Sequence, residues 1–172
     1  MSTPSGRYEQ ANGRPLVRFE RTFPHPVAAV WRAISDPAQL EKWFPTSVEF
    51  SELRAGGPIV FRFTTHDLPP MDGVFVEVDE PRRLAFTWGE DELTFELSSS
   101  DGGAACRLAF SVVLDEVGKA ARDSAGWESC LDMLAVIAAG QTPERPAGTG
   151  SWQAYYEHYR AAGFPATAAI PQ

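Results

Sequence analysis

The chain has 172 residues, 44% hydrophobic and 22% charged, a balance that suits one soluble globular domain and excludes a disordered or membrane-embedded chain. Its formal net charge of −8 would repel phosphate backbones and anionic lipid, and no Lys/Arg cluster stands out against that field, so nucleic acid is not an expected partner. No run approaches the roughly 18 apolar residues of a membrane span, and MSTPSGRYEQANGRP lacks the apolar region of a secretory signal, which points to the cytoplasm without membrane insertion.

Residues 1–15 are polar, carry Gly, Pro, Ser and Asn, and read as a flexible tail. In 16–23 (LVRFERTF), Val17 and Phe19 alternate with Arg18 and Glu20, which fits a strand with one wet face. Pro26 then opens a helical spacing over Val27, Val30, Trp31 and Ile34, with Pro26 expected at the first helical position. Asp36, Pro37 and Gln39 read as an N-cap, a first-turn proline and a capping-box partner, opening a second short helix through Leu40 and Trp43.

Six strand-like segments follow, at 48–53, 58–65, 73–79, 84–88, 93–97 and 105–114, separated by turn signals at the short intervals of an antiparallel meander. One face is apolar. It collects Phe61 and Phe63, then Val74, Val76 and Val78, then Leu84, Phe86 and Trp88, then Leu93, Phe95 and Leu97, and finally Leu108, Phe110 and Val112. Arg62, Glu77, Thr87 and Glu96 fall on the other face, where cross-strand pairs are expected. The segment 117–139 supplies a cover, because Trp127, Leu131, Leu134 and Ala138 form one helical stripe that Gly140 is placed to end. After a linker at 141–150, Trp152, Tyr155, Tyr156 and Tyr159 mark a last short amphipathic helix.

Four segments carry a family resemblance: VWRAISDPAQLEKWF (30–44), GGPIVFRF (56–63), GVFVEVDEPRRLAFTW (73–88) and GWESCLDMLA (126–135). Together they cover nearly everything from 16 to 140, and the chain resembles the SRPBCC superfamily, in its bacterial branch named after the activator of the heat-shock-protein ATPase. The resemblance implies an α+β helix-grip fold: a curved seven-stranded antiparallel sheet round a long C-terminal helix, with two short helices after strand 1 closing one mouth of a cavity. The domain spans 16–140, and 141–172 is a linker with a short helical extension. The superfamily includes lipid and steroid carriers, hormone sensors, polyketide cyclases and co-chaperones, so the fold implies no single activity.

The residues themselves favour an apolar binding site. Trp31, Trp43, Phe44, Phe61, Phe63, Val76, Phe86, Trp88, Phe95, Phe110, Trp127, Leu131 and Leu134 are the candidate ligand contacts, each also a natural core residue. The expected ligand is a small apolar molecule held by a carrier, sensor or sequestering protein without catalysis. A cyclase or dehydratase acting on aromatic or polyketide-like substrates is the enzymatic alternative, with proton transfer by His66, Asp67 or an arginine. A co-chaperone-like docking module is the third. Trp152, Tyr155, Tyr156 and Tyr159 suit either a homodimer through 151–164 or folding back on the domain.

Other chemistry lacks a motif. His25, His66 and His158 have no metal-ligand spacing, and no metal is expected. Gly56 and Gly57 are not followed by GKT or GKS and mark a turn, so no cofactor is expected. No GxSxG elbow occurs, and Cys106 and Cys130 read as reduced structural thiols. The run Glu90, Asp91, Glu92 reads as a solvated tip.

Overall fold

The computed structural model describes residues 1–64, 67–144 and 150–170. Strands β1 (Arg7–Ala11) and β2 (Arg14–Phe23) form a hairpin closed by Asn12 and Gly13, whose φ angles of 51° and 78° belong to the two-residue turn that matches strand twist. The expected loose tail therefore contains a strand, because Asn-Gly folds 7–11 back along β2.

Two helices follow, α1 (Val27–Ser35) and α2 (Pro37–Leu40). Pro26 caps α1 from outside rather than opening it, and Asp36 caps α2 by accepting the Ala38 N–H at 3.0 Å. The Trp43 indole N–H donates to the Ala33 carbonyl at 2.8 Å, which ties the residues after α2 back onto α1.

The meander comprises β3 (Ser47–Glu49), β4 (Pro58–Arg62), β5 (Met71–Asp79), β6 (Arg83–Trp88), β7 (Asp91–Ser100) and β8 (Ala105–Val113). With the first hairpin it makes one antiparallel sheet in the order β1-β2-β8-β7-β6-β5-β4-β3, eight strands where seven were expected. β1 is the addition. After a 3-10 turn at Val117–Lys119, helix α3 (Ala120–Ala138) lies in the concave face, and Gly140, at φ 74°, ends it. Helix α4 (Gly150–Ala161) packs on α3. A curved antiparallel sheet closed on a long helix is the helix-grip fold.

The core is a ladder of phenylalanines across the strands. Phe19 and Phe110 stack at 5.8 Å, Phe110 and Phe95 at 4.5 Å, Phe95 and Phe86 at 5.9 Å, and Phe86 and Phe61 at 6.1 Å. All five rings are fully buried, and each such burial stabilises by about 1.5–3 kcal/mol.

The alternation expected for 73–79 fails at β5. Phe75 faces the core at 3% exposure, while Val74 and Val76 are exposed at 37% and 46% on the outer face. A bulge between Phe75 and Glu77 then shifts the phase, so Glu77 also points outward, to Arg83 at 2.7 Å, and Val78 packs against the core. Val76 is thereby removed from the candidate ligand contacts.

A charged residue of β2 faces inward as well. Arg21 shares the phase of Val17, Phe19 and Phe23, and it pairs with Glu128 of α3, whose side chain is fully buried. Glu128 also accepts the Ser5 N–H at 2.7 Å, the Gly6 N–H at 3.2 Å and the Tyr159 hydroxyl. Burial opposes the charge of Arg21, but Glu128 and Asp132 outweigh it and raise its pKa. Tyr155 donates to Asp132 at 2.7 Å and accepts the Ser2 N–H at 2.8 Å. Burial raises the pKa of both tyrosines, and the facing carboxylates add to it, so both stay protonated donors. This network fastens the N-terminal segment, β2, α3 and α4 together. Tyr155 and Tyr159 are completely buried and Tyr156 is 4% exposed, so these three rings of α4 pack on its own domain.

Candidate functional site

Where the β6–β7 turn faces the first half of α3, the layers do not meet, and a cleft of about 700 Å³ opens. Its apolar walls come from Pro45 after α2, Phe63 after β4, Met71 at the start of β5, Trp88 at the end of β6, Trp127 on α3 and Trp152 on α4. Trp127 is anchored by edge contacts with Trp88 at 5.5 Å and Phe110 at 5.2 Å, and Trp152 stacks on Tyr156 at 5.0 Å. The Trp88 indole N–H is buried without a hydrogen-bond partner among the described residues, a state that costs about 1–3 kcal/mol.

Gly126 gives the cleft its room. It sits inside α3 on the cleft wall, and a methyl group built there would meet no atom of the described residues within 4 Å other than its own helix backbone and chain neighbours. Glycine inside a helix is about 1 kcal/mol less favourable than alanine. No close packing at this position requires it.

Charged groups join these walls. Asp91, Lys119, Arg122 and Asp123 line the cleft, with Glu90 at the exposed turn. Asp91 shares the inward phase of Leu93, Phe95 and Leu97 and is only 4% exposed. It is not part of a solvated tip, because Trp88 pairs directly with Asp91 and the turn shrinks to Gly89 and Glu90. Burial raises the Asp91 pKa to about 6, against the Asp115 N–H that it accepts at 2.9 Å and the Lys119 ammonium at 3.9 Å. Asp115 goes the other way: partial burial would raise it, but the 2.6 Å hydrogen bond from Lys119 prevails and lowers it.

A second hollow, of about 690 Å³, lies over the outer face of the sheet and is lined by charged residues including Arg18, Arg83, Glu96 and Arg107. Arg83 bonds Glu77 at 2.7 Å and Glu96 at 2.6 Å, and Arg18 lies 3.6 Å from Glu96, so ion pairs floor it. Such exposed pairs contribute about 0–1 kcal/mol and mark a solvated surface.

The family model described as "Activator of Hsp90 ATPase homolog 1-like protein" matches residues 24–139, well over half of the chain. The chain belongs to this family. Solved structures are similar to it in fold as well. A conserved protein of unknown function from Enterococcus faecalis, EF2215, is similar at a TM-score of 0.74 and 22% identity, with 91% of this chain and 89% of that one covered. The crystal structure of CalU16 from Micromonospora echinospora aligns at 0.69 and 23% identity, over 91% and 93%. DynU16, from the dynemicin biosynthetic locus, aligns at 0.62 and 23% identity over 74% of this chain, which spans 48% of it. At these identities the likenesses show the fold alone. No curated protein matches the chain significantly.

Within this member of the Hsp90-activator-like family, Phe63, Trp88 and Trp127 are the expected contacts that line the cleft. Trp43, Phe44, Phe61, Phe86, Phe95, Phe110, Leu131 and Leu134 are instead spent on the core, each at 1% exposure or less, and Trp31 is buried on α1 at 5%. Asp67 is exposed and outside the cleft, and His66 lies outside the described residues. Cys130 is a buried thiol on the cleft wall, and Cys106 is buried elsewhere; neither forms a disulfide. No metal-holding group of His, Cys, Asp and Glu occurs among the described residues, and none of their helices is long and apolar enough to cross a membrane. Sequence reasoning missed Met71, Asp91, Gly126 and Trp152 as cleft residues. Asp91 and Gly126 carried a signal, the one in its strand phase and the other in its place inside a helix.

Proposed function

We propose that the chain binds one small hydrophobic molecule in the cleft between α3 and the β6–β7 turn, as a carrier, sensor or sequestering protein. Gly126 carries the reading: an unfavoured residue inside α3 keeps open a space that any other side chain would enter. The volume of about 700 Å³ falls within the roughly 300–1,000 Å³ of small-molecule sites, and apolar walls with a few polar groups are their usual composition. Native mass spectrometry beside a denatured control tests it. A defined apolar mass that leaves on unfolding is the expected result. A bare chain that also gains no thermal stability from any member of a panel of apolar compounds would remove the proposal.

One observation favours a second reading, a cyclase or dehydratase on an aromatic or polyketide-like substrate. Asp91 is a buried carboxyl group with a pKa of about 6 in the cleft wall, and a proton donor or acceptor works best near its operating pH. Turnover of a recovered ligand by the wild type, and its loss in Asp91→Asn, distinguishes enzyme from carrier.

A further inference from the structure

We propose that the cleft selects a hydrophobic cation, an apolar body carrying an ammonium group, with Asp91 as its counter-charge. This rests on the cleft being a ligand site at all. Three indoles line it, Trp88, Trp127 and Trp152. An indole is the best aromatic partner for a cation, because its face carries the negative part of the ring quadrupole.

The charges sort in the same direction. Both cations of the wall already have anionic partners: Lys119 bonds Asp115 at 2.6 Å, and Arg122 bonds Asp123 at 2.6 Å and the Ala169 carbonyl at 3.1 Å. Glu90 stands exposed at the mouth with no ion-pair partner among the described residues. Asp91 accepts one backbone N–H at 2.9 Å and shares a side-chain hydrogen bond with Asp115, and its nearest cation among the described residues, Lys119, stands 3.9 Å away. A ligand ammonium would meet these two carboxylates, whereas a ligand anion would meet them before reaching a cation already neutralised. The net charge of −8 draws cations to the molecule in the first place.

Three probes with one aromatic body test the inference: 1-naphthylmethyl-trimethylammonium, 1-naphthylmethanol and 1-naphthaleneacetate, titrated calorimetrically into the full chain. The ammonium probe should bind about tenfold tighter than the alcohol, the scale of a partly desolvated cation–indole contact. Asp91→Asn keeps the oxygen that accepts the Asp115 N–H and should bring the ammonium probe down towards the alcohol. Trp152→Ala, on the half-buried rim, should weaken both. Asp91 is faced by Asp115 and Lys119 from the segment after β8, by Arg122 and Asp123 from α3, and by Glu90 from its own turn. Lowering the pH through about 6 should therefore weaken the ammonium probe and leave the alcohol unchanged.

Equal binding of ammonium and alcohol, or tightest binding of the acetate, would overturn the charge selection and leave the apolar cleft standing. Failure of all three probes would overturn both.

Discussion

The guanidinium of Arg21, on the inner face of β2, is paired with the completely buried carboxylate of Glu128 on α3. Removing one partner leaves the other charged in a desolvated place, which costs about 3–5 kcal/mol. Glu128→Leu and Arg21→Met should each lose stability on that scale. Their double mutant should fall short of the summed loss by about 0.5–3 kcal/mol, as directly coupled residues do. Urea unfolding of the four proteins measures this, and strict additivity would refute the coupling.

Gly6 sits where this network meets the core. A methyl group there would lie 2.5 Å from the Tyr159 hydroxyl oxygen and 2.8 Å from the Phe19 ring, both fully buried. Gly6→Ala must push one of them aside and should destabilise by about 1–3 kcal/mol, the usual cost of overpacking. The same change at Gly103, where a methyl would meet nothing within 4 Å, controls for crowding, although its φ of 97° adds backbone strain of its own. A thermal melt of Gly6→Ala identical to wild type would show that the close approach is absent in solution.

Asp91 gives a pH dependence with an unusual sign. Its folded pKa, raised to about 6 from 3.8, means that between those values the folded chain holds a proton that the unfolded chain has lost. Stability from this residue is therefore present below about pH 4 and lost as the pH rises through 6. A shift of roughly two units corresponds to about 3 kcal/mol. Asp91→Asn, which cannot ionise and keeps the acceptor for Asp115, should be more stable than wild type at pH 7 and converge with it near pH 4. The difference between the two stability curves reports Asp91 together with its influence on the Asp115 and Lys119 groups that it contacts. A difference that does not vary with pH would contradict the shift.

The order of elements was legible because alternation and helical spacing are local. Val17 and Phe19, Leu93 and Phe95, and Leu108 and Phe110 all point inward as their spacing predicts. Where a local rule was broken, the reading followed the wrong phase. In β5 the valines at 74 and 76 outnumber the one phenylalanine between them, and only the paired strand reveals the bulge. Asn12-Gly13 is a strong hairpin signal that the polar composition around it obscured. Arg21 and Asp91 are in phase with buried neighbours, but their charge argues against an inward place until the partners on α3 and after β8 are known.

The cleft was less legible, for a geometric reason. Its walls come from six stretches between Pro45 and Trp152, and no spacing rule relates a residue after β4 to one at the start of α4. Large aromatic residues alone do not separate a lined cavity from a filled core. The core consumes most of the candidates, and the cleft opens where Trp88 and Trp127 meet edge to face.

Gly126 offers the sharpest separation of function from stability. In most sites a substitution that blocks a ligand also damages the fold, and the two effects are confounded. Here the position is inside α3, its missing side chain faces open space, and nothing within 4 Å would be displaced by a methyl group. Gly126→Ala should stabilise the chain by about 1 kcal/mol through helix propensity alone. Gly126→Leu should bring a similar gain, and a leucine on this part of the cleft wall, beside Trp127 and Cys130, should take up cleft space. The leucine variant should melt at or above the wild-type temperature and yet lose both the co-purified mass and the binding of apolar probes. A stable leucine variant that retains full binding would place the ligand somewhere other than this cleft. A destabilised one would mean that the space beside α3 is already filled in solution, and that the glycine serves packing instead.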